Sequence, residues 1–298
     1  MARVAAGTLL TVAPTGAETA KTDAQALPVT VDELVATAKA CQAAGAAVIH
    51  VHLRDDEARP TLDLGRAREA VQGIREATDL IVQVSSGGAV TDSEEARLAV
   101  LDCGPDGASL TCGTVNFGSD VFMNRWEFIE RLFLAMRERE IVPEFELFDL
   151  GHVATMRRLL DKHGAPYGGH IHCDLVMGVP GGMPGTPQAV LACVQALPAE
   201  ATWSATGVGR TTIPVMLAAL AAGGHLRVGM EDTLTFAPGQ PVRDNAELVE
   251  RAADLARLAQ RPLLSPDEAR AFLGVRSNTA VLHQQPTSST PQNSGAQA

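Results

Sequence analysis

Ala47-Val48-Ile49-His50-Val51-His52, residues 47–52, is an apolar, β-rich run broken at alternate positions by histidine. Six residues of that kind suit a strand. The run lies between two segments of helical period, Val31–Ala43 before it and Leu64–Ala77 after it, so the local unit is helix, strand, helix. Outward in both directions the alternation continues until eight strands are counted. The other candidates are Thr8–Ala13, Leu80–Ser85, Gly107–Leu110, Ile141–Leu147, His170–Met177, Ala201–Thr206 and His225–Gly229. Helical segments follow at Ser93–Leu101, Arg125–Arg139, Val153–His163, Pro187–Leu197, Ile213–Ala222 and Asn245–Gln260. Asp63 and Asp244 stand where helix caps belong.

Strict alternation of strand and helix implies parallel strands joined by right-handed crossovers. Eight such units favour closure into an α/β, (β/α)8 TIM barrel, a single catalytic domain over residues 1–276. An open doubly wound sheet would instead place a G-x-G-x-x-G turn after an early strand. The glycine turns at Ser86-Gly87-Gly88 and Gly178–Gly185 lack that spacing. A short helix at Pro266–Leu273 follows the eighth unit. Residues 277–298 are rich in Ser, Thr, Gln, Asn and Pro and read as a disordered tail.

Composition narrows the function. The chain has 298 residues, 46% of them apolar, enough for a large core, and a net charge of −11 that disfavours nucleic acid and anionic membranes as partners. A run of about 18 apolar residues, the length a membrane span needs, does not occur. Five cysteines without close spacing argue against a disulfide framework or a thiolate zinc site. These features predict a soluble, reduced, cytoplasmic protein.

The chemistry begins at His50 and His52. Residues two apart on a strand point the same way, and the carboxyl ends of barrel strands form the mouth where active sites are built. Two imidazoles there can bind one metal, at about 2.0–2.1 Å per bond; the plainer alternative is a hydrogen-bonded pair. Strand 8 ends in Arg227-Val228-Gly229-Met230-Glu231-Asp232, and barrel closure brings that rim near strand 2, so Glu231 is a candidate third ligand. Two histidines and a carboxylate leave positions open for substrate, the pattern of catalytic zinc. Non-haem iron takes the same set, but the sequence shows no redox-cofactor signal. The pair His170 and His172, near the start of strand 6, reads as core packing, and His152, His163, His225 and His283 lack partner spacing. Ser85, Ser86 and Gly87 after strand 3 are candidates for holding a carboxylate. Of Glu144 and Glu146 on strand 5, one is expected to face the interior as an acid or base.

Thr15-Gly16-Ala17-Glu18, Ile49–Arg54, Ser86–Val90, Asn116-Phe117-Gly118, Gly178–Met183, Gly207-Val208-Gly209-Arg210 and Gly229–Asp232 together resemble the β-keto acid cleavage enzymes. The likeness runs from about Leu9 to Leu273 in order and spacing. It implies a zinc-dependent homotetrameric TIM barrel that exchanges acyl groups between a β-keto acid and acetyl-CoA, giving acetoacetate and a new CoA thioester. By that resemblance the metal ligands are His50, His52 and Glu231, and the substrate contacts are Glu18, Ser85, Ser109, Glu146, Arg227 and Asp232. Asp232, tuned by Arg227, is the first candidate for moving the proton, and Glu146 the second. Arg210 is a candidate contact for a CoA phosphate. Glu18 suits a substrate bearing an ammonium group, such as 3-keto-5-aminohexanoate. Other readings are a zinc aldolase or hydrolase that needs no CoA, and a barrel that binds a ligand without catalysis.

Overall fold

Side-chain caps start most of the helices that build the jacket of this protein. The computed structural model describes residues 7–276; the expected tail lies outside the described residues. Thr30 and its capping box open α1 (Val31–Ala44). Asp63 caps α2 (Leu64–Ala77) and Asp244 caps α8 (Asn245–Leu258), each accepting a backbone N–H of the first turn. Helix α3 (Glu94–Ala99) is shorter than expected, because Ser93 is its cap and the chain tightens to a 3-10 turn from Val100. Helix α4 is Trp126–Glu138. Helix α5 (Leu150–His163) starts three residues before the expected Val153, because Asp149 caps it through Gly151 N–H. The remaining jacket helices are α6 (Pro187–Ala196) and α7 (Thr212–Ala222).

Between them run β1 (Leu10–Val12), β2 (Val48–Val51), β3 (Ile81–Val84) and β4 (Gly107–Thr111), then β5 (Val142–Leu147), β6 (His172–Met177), β7 (Thr202–Gly207) and β8 (His225–Val228). All pair in parallel in chain order, and β8 closes on β1 through Leu10–Leu226, Thr11–Arg227 and Val12–Val228. The chain is a closed (β/α)8 barrel. Strand β6 begins at His172, two residues later than expected.

Alternation along the strands separates two interiors. Outward residues such as Ile49, Val82, Leu110, Phe145, Leu175 and Leu226 pack under the helices as one large core. The inward set is polar: Thr11, His50, Gln83, Ser109, Glu144, Glu146, Asp174, Thr206 and Arg227 are all buried. A TIM barrel normally fills this space with branched apolar residues. Here the bottom is apolar, where Leu9, Val48 and Ile81 meet Ala269 and Leu273 of α9 (Pro266–Leu273). Arg270 fastens that plug by donating to Leu80 O at 3.1 Å.

Three two-stranded hairpins were not expected from the sequence: Leu53–Arg54 with Pro60–Thr61, Val115–Phe117 with Asp120–Phe122, and Thr235–Ala237 with Gln240–Pro241. All three follow barrel strands and so lie around the mouth. Among the described residues no helix is long and apolar enough to cross a membrane. All five cysteines are buried and free.

Candidate active site

Position, not sequence proximity, assembles the site. His50 lies on β2 and His52 just after it, with ring centroids 5.3 Å apart. Glu231 follows β8, which is one strand removed across β1, and its Oε1 is 3.6 Å from His52 Nε2. One ligand atom from each of His50, His52 and Glu231 falls within 4.8 Å of the others. Gly16 lets the first loop pass over Glu231. Its φ of +65° is in the left-handed region, and a Cβ there would lie 2.6 Å from Glu231 Cγ. Arg54 ties the same loop down, donating to the carbonyls of Gly16 and Thr19 at 2.7 Å each. Asn245 at the start of α8 joins the two rims, donating to Pro14 O and accepting from Met230 N.

Beneath the ligand trio, Arg227 of β8 is buried in a ring of carboxylates. It lies 3.2 Å from Asp232, 3.6 Å from Glu146 and 3.8 Å from Asp174, and it pairs closely with Glu231. One guanidinium facing four carboxylates leaves an excess of three negative charges if all ionise. Buried charge of that size requires protons or another cation. Glu231 is the carboxylate held ionised: burial raises its pKa, but Arg227, His52 and His50 outweigh burial and bring it to about 2. Asp232 goes the other way, to about 7, because burial and the neighbouring Glu231 outweigh Arg227. Burial also holds His50 and His52 below the usual histidine range, as neutral imidazoles.

The trio meets the chemical demands of a divalent metal site. Neutral imidazoles and an ionised carboxylate are the protonation states a ligand set needs. Glu231 Oε2 is a buried oxygen with no hydrogen-bond partner. A dication there would offset most of the charge excess.

A cavity of about 440 Å³ opens over these groups, within the range of small-molecule sites. His52, Ser85, Gly87, Glu146, Arg227, Glu231 and Asp232 line its floor. An apolar wall comes from Phe117 and Phe122 of the second hairpin with Phe148, Val176, Val179 and Val208. Gly181 lets the loop after β6 close against that hairpin: its φ is +104°, and a Cβ would lie 2.1 Å from Asn116 O. Glu18 and Asp120 stand exposed at the rim.

Several expected site residues are placed differently. Ser86 turns away from the cavity, and its Oγ donates to Ser109 O at 2.5 Å while its N–H donates to Ser109 Oγ. Ser109 is fully buried one layer down, so this pair braces the loop after β3 and leaves Ser85 to line the cavity. Arg210 is exposed on the 3-10 turn after β7, outside the cavity lining. Glu144 and Glu146 both face inward, correcting the expectation that one of them would, because residues two apart share a face. His172 bonds Thr202 and Ser204, and His225 accepts from Leu9 N–H.

The two strand β5 carboxyls give the protein a pH dependence. Burial, then Asp174, pushes Glu144 up to about 8; burial pushes Glu146 up to about 7 against Arg227 and Thr111. Both bind protons more tightly folded than unfolded, where a glutamic acid titrates near about 4.3. The stability they contribute is full below that value and is lost as pH rises through about 7 and about 8. Urea unfolding of metal-free protein should therefore show stability falling from about pH 5 to about pH 8, and Glu144→Gln should flatten the upper part of the fall. A profile in the wild type that rises over this window contradicts the assignment.

Fold and site define a (β/α)8-barrel enzyme with a polar catalytic-type cavity at the carboxyl ends of its strands. The family model described as beta-keto acid cleavage enzyme matches residues 8–275, and the chain belongs to that family. The "3-keto-5-aminohexanoate cleavage enzyme" of Acetoanaerobium sticklandii is 39% identical over 90% of this chain and 98% of its own length. The "3-oxoadipate:acetyl-CoA acetyltransferase" of Cupriavidus necator is 34% identical over 90% of this chain and 95% of its own. Among solved structures, the apo structure of ObcA superposes with a TM-score of 0.73 at 21% identity, a likeness of fold. The match covers 84% of this chain and 65% of that one.

Proposed function

We propose that this protein is a zinc-dependent β-keto acid cleavage enzyme that uses acetyl-CoA and yields acetoacetate and a new acyl-CoA. The observation that carries the reading is the convergence of His50, His52 and Glu231 at the floor of a cavity that His52, Arg227, Glu231 and Asp232 line. The names of the two relatives above support the reaction class, since one is named a cleavage enzyme of a 3-keto acid and the other an acetyltransferase acting between 3-oxoadipate and acetyl-CoA.

In balanced form, the bond between C2 and the keto carbon of the substrate breaks. C2 forms a new bond to the acetyl carbonyl carbon, and the released thiolate ends on the former keto carbon. His50, His52 and Glu231 would hold the zinc, which would supply Lewis-acid chemistry for a substrate carbonyl. Asp232 takes the proton from C2 and returns it to C2 when the bond to the keto carbon breaks, and Arg227 fixes its orientation. Glu146, across Arg227, is the second candidate for that proton. Ser85 and the turn at Gly87 hold the substrate carboxylate. The apolar wall from Phe117 to Val208 excludes water from the reacting carbons. CoA lies across the rim, where exposed Arg210 offers a fork for a phosphate.

The rim favours a cationic substrate tail. Glu18 and Asp120 are both anions at the cavity edge, so a β-keto acid with an ammonium group, such as 3-keto-5-aminohexanoate, fits the field. Glu18→Gln should lower kcat/KM for an ammonium-bearing substrate by up to about fivefold, the scale of an exposed ion pair, and leave a neutral one unchanged. Equal losses on both substrates count against the ammonium reading. The proposal extends to a cytoplasmic homotetramer, as the family resemblance implies. The reaction itself is tested by a screen of β-keto acids with and without acetyl-CoA. Cleavage that proceeds equally without acetyl-CoA overturns it.

A further inference from the structure

Gln83 is a polar interruption in the apolar strand Ile81-Val82-Gln83-Val84, and it lies directly opposite His50 in the β2–β3 register. Both side chains are buried, and His50 Nδ1 is 2.5 Å from Gln83 Oε1. An amide oxygen only accepts, so this contact places the proton of a neutral His50 on Nδ1 and leaves the Nε2 lone pair for a metal. A reversed amide would present N–H to His50, move the ring proton to Nε2 and remove that lone pair. The direction of one amide therefore decides whether His50 can be a ligand.

Something must hold the amide in that direction. On the side away from the metal site, Gln83 shares a cavity of about 20 Å³ with Glu144 and His172. Glu144 Oε1 is buried and has no hydrogen-bond partner, so an acceptor waits on the side where the Gln83 NH2 belongs. Gly107, opposite Gln83 on β4, adds no side chain on that flank. We propose that Gln83 is a positioning residue that sets the tautomer of His50, with Glu144 holding its amide from below; this rests on the metal reading of His50, His52 and Glu231.

The test compares zinc affinity of metal-free wild type, Gln83→Met and Gln83→Glu by competition with a chromogenic chelator, alongside the Tm of each metal-free protein. Methionine keeps the bulk and removes the acceptor, so zinc Kd should rise about 10- to 100-fold, the effect of losing an outer-shell partner. Glutamate keeps an acceptor and should restore affinity to near the wild-type value. Equal affinity in wild type and Gln83→Met overturns the inference, as does a Gln83→Glu protein that loses as much as Gln83→Met. A wild type that takes up no zinc overturns the metal reading and this inference with it. Should Gln83→Met fail to fold, long-range 1H–15N spectra of zinc-loaded wild type decide: a proton on His50 Nδ1 supports the inference, and a proton on Nε2 overturns it.

Discussion

Replacement of Arg227 by methionine should destabilise the metal-free protein by about 3–5 kcal/mol, the usual result of removing one partner from buried ion pairs. Arg227 is the cation within 4 Å of Glu146, Asp174, Glu231 and Asp232, and its side chain is 4% exposed. Methionine fills most of the space, so the loss is electrostatic more than one of packing. Without the guanidinium, Glu146, Asp174 and Asp232 are driven further above their unfolded pKa values, and Glu231 loses the main partner that holds it below its own. The penalty is full above the folded pKa and vanishes below the unfolded one, so the variant should lose less at pH 5 than at pH 8. Arg227→Lys restores a charge but not the planar fork, and should recover part of the stability and little of the activity. Urea midpoints at the two pH values distinguish these cases. An equal loss at both would mean that packing dominates.

Asp232→Asn should lower kcat by about 10²- to 10⁴-fold, the range for removing a positioned acid or base. Asparagine keeps the shape and can still meet Arg227 through its amide oxygen, yet it cannot accept a proton from carbon. Zinc content should be unchanged, because Glu231 and not Asp232 completes the ligand trio. If the variant retains kcat within a few fold and Glu146→Gln instead abolishes turnover, the proton passes to Glu146 and the order of the two candidates reverses.

The barrel was legible because its signals are local and repeat. Outward apolar residues at alternate positions, a capping Asp before α2 and α8, and helix-length spacing between strands each follow from short stretches. The His50, His52 and Glu231 trio was legible too, since β-period and ring closure together place β8 one strand away from β2. What the sequence hides is which neighbour claims a given polar group. Ser86 and Ser109 hydrogen-bond each other, a pairing the sequence does not show, because a serine reads the same whether its partner is a ligand or the chain. The hairpin Val115–Phe122 that walls the cavity is too short for periodicity to reveal. Gln83, by contrast, carries a signal in the sequence: one polar residue inside an apolar strand, facing inward with Ile81 and opposite a candidate ligand. The paired carboxyls of β5 likewise share one face by simple alternation.

The central claim is that His50, His52 and Glu231 bind a catalytic zinc. Its most direct test is metal analysis of purified protein joined to turnover of a β-keto acid with acetyl-CoA before and after chelation. The expected result is one zinc per chain, with activity lost with the metal and restored by zinc alone. Metal-free protein that still cleaves the substrate at the original rate would contradict it.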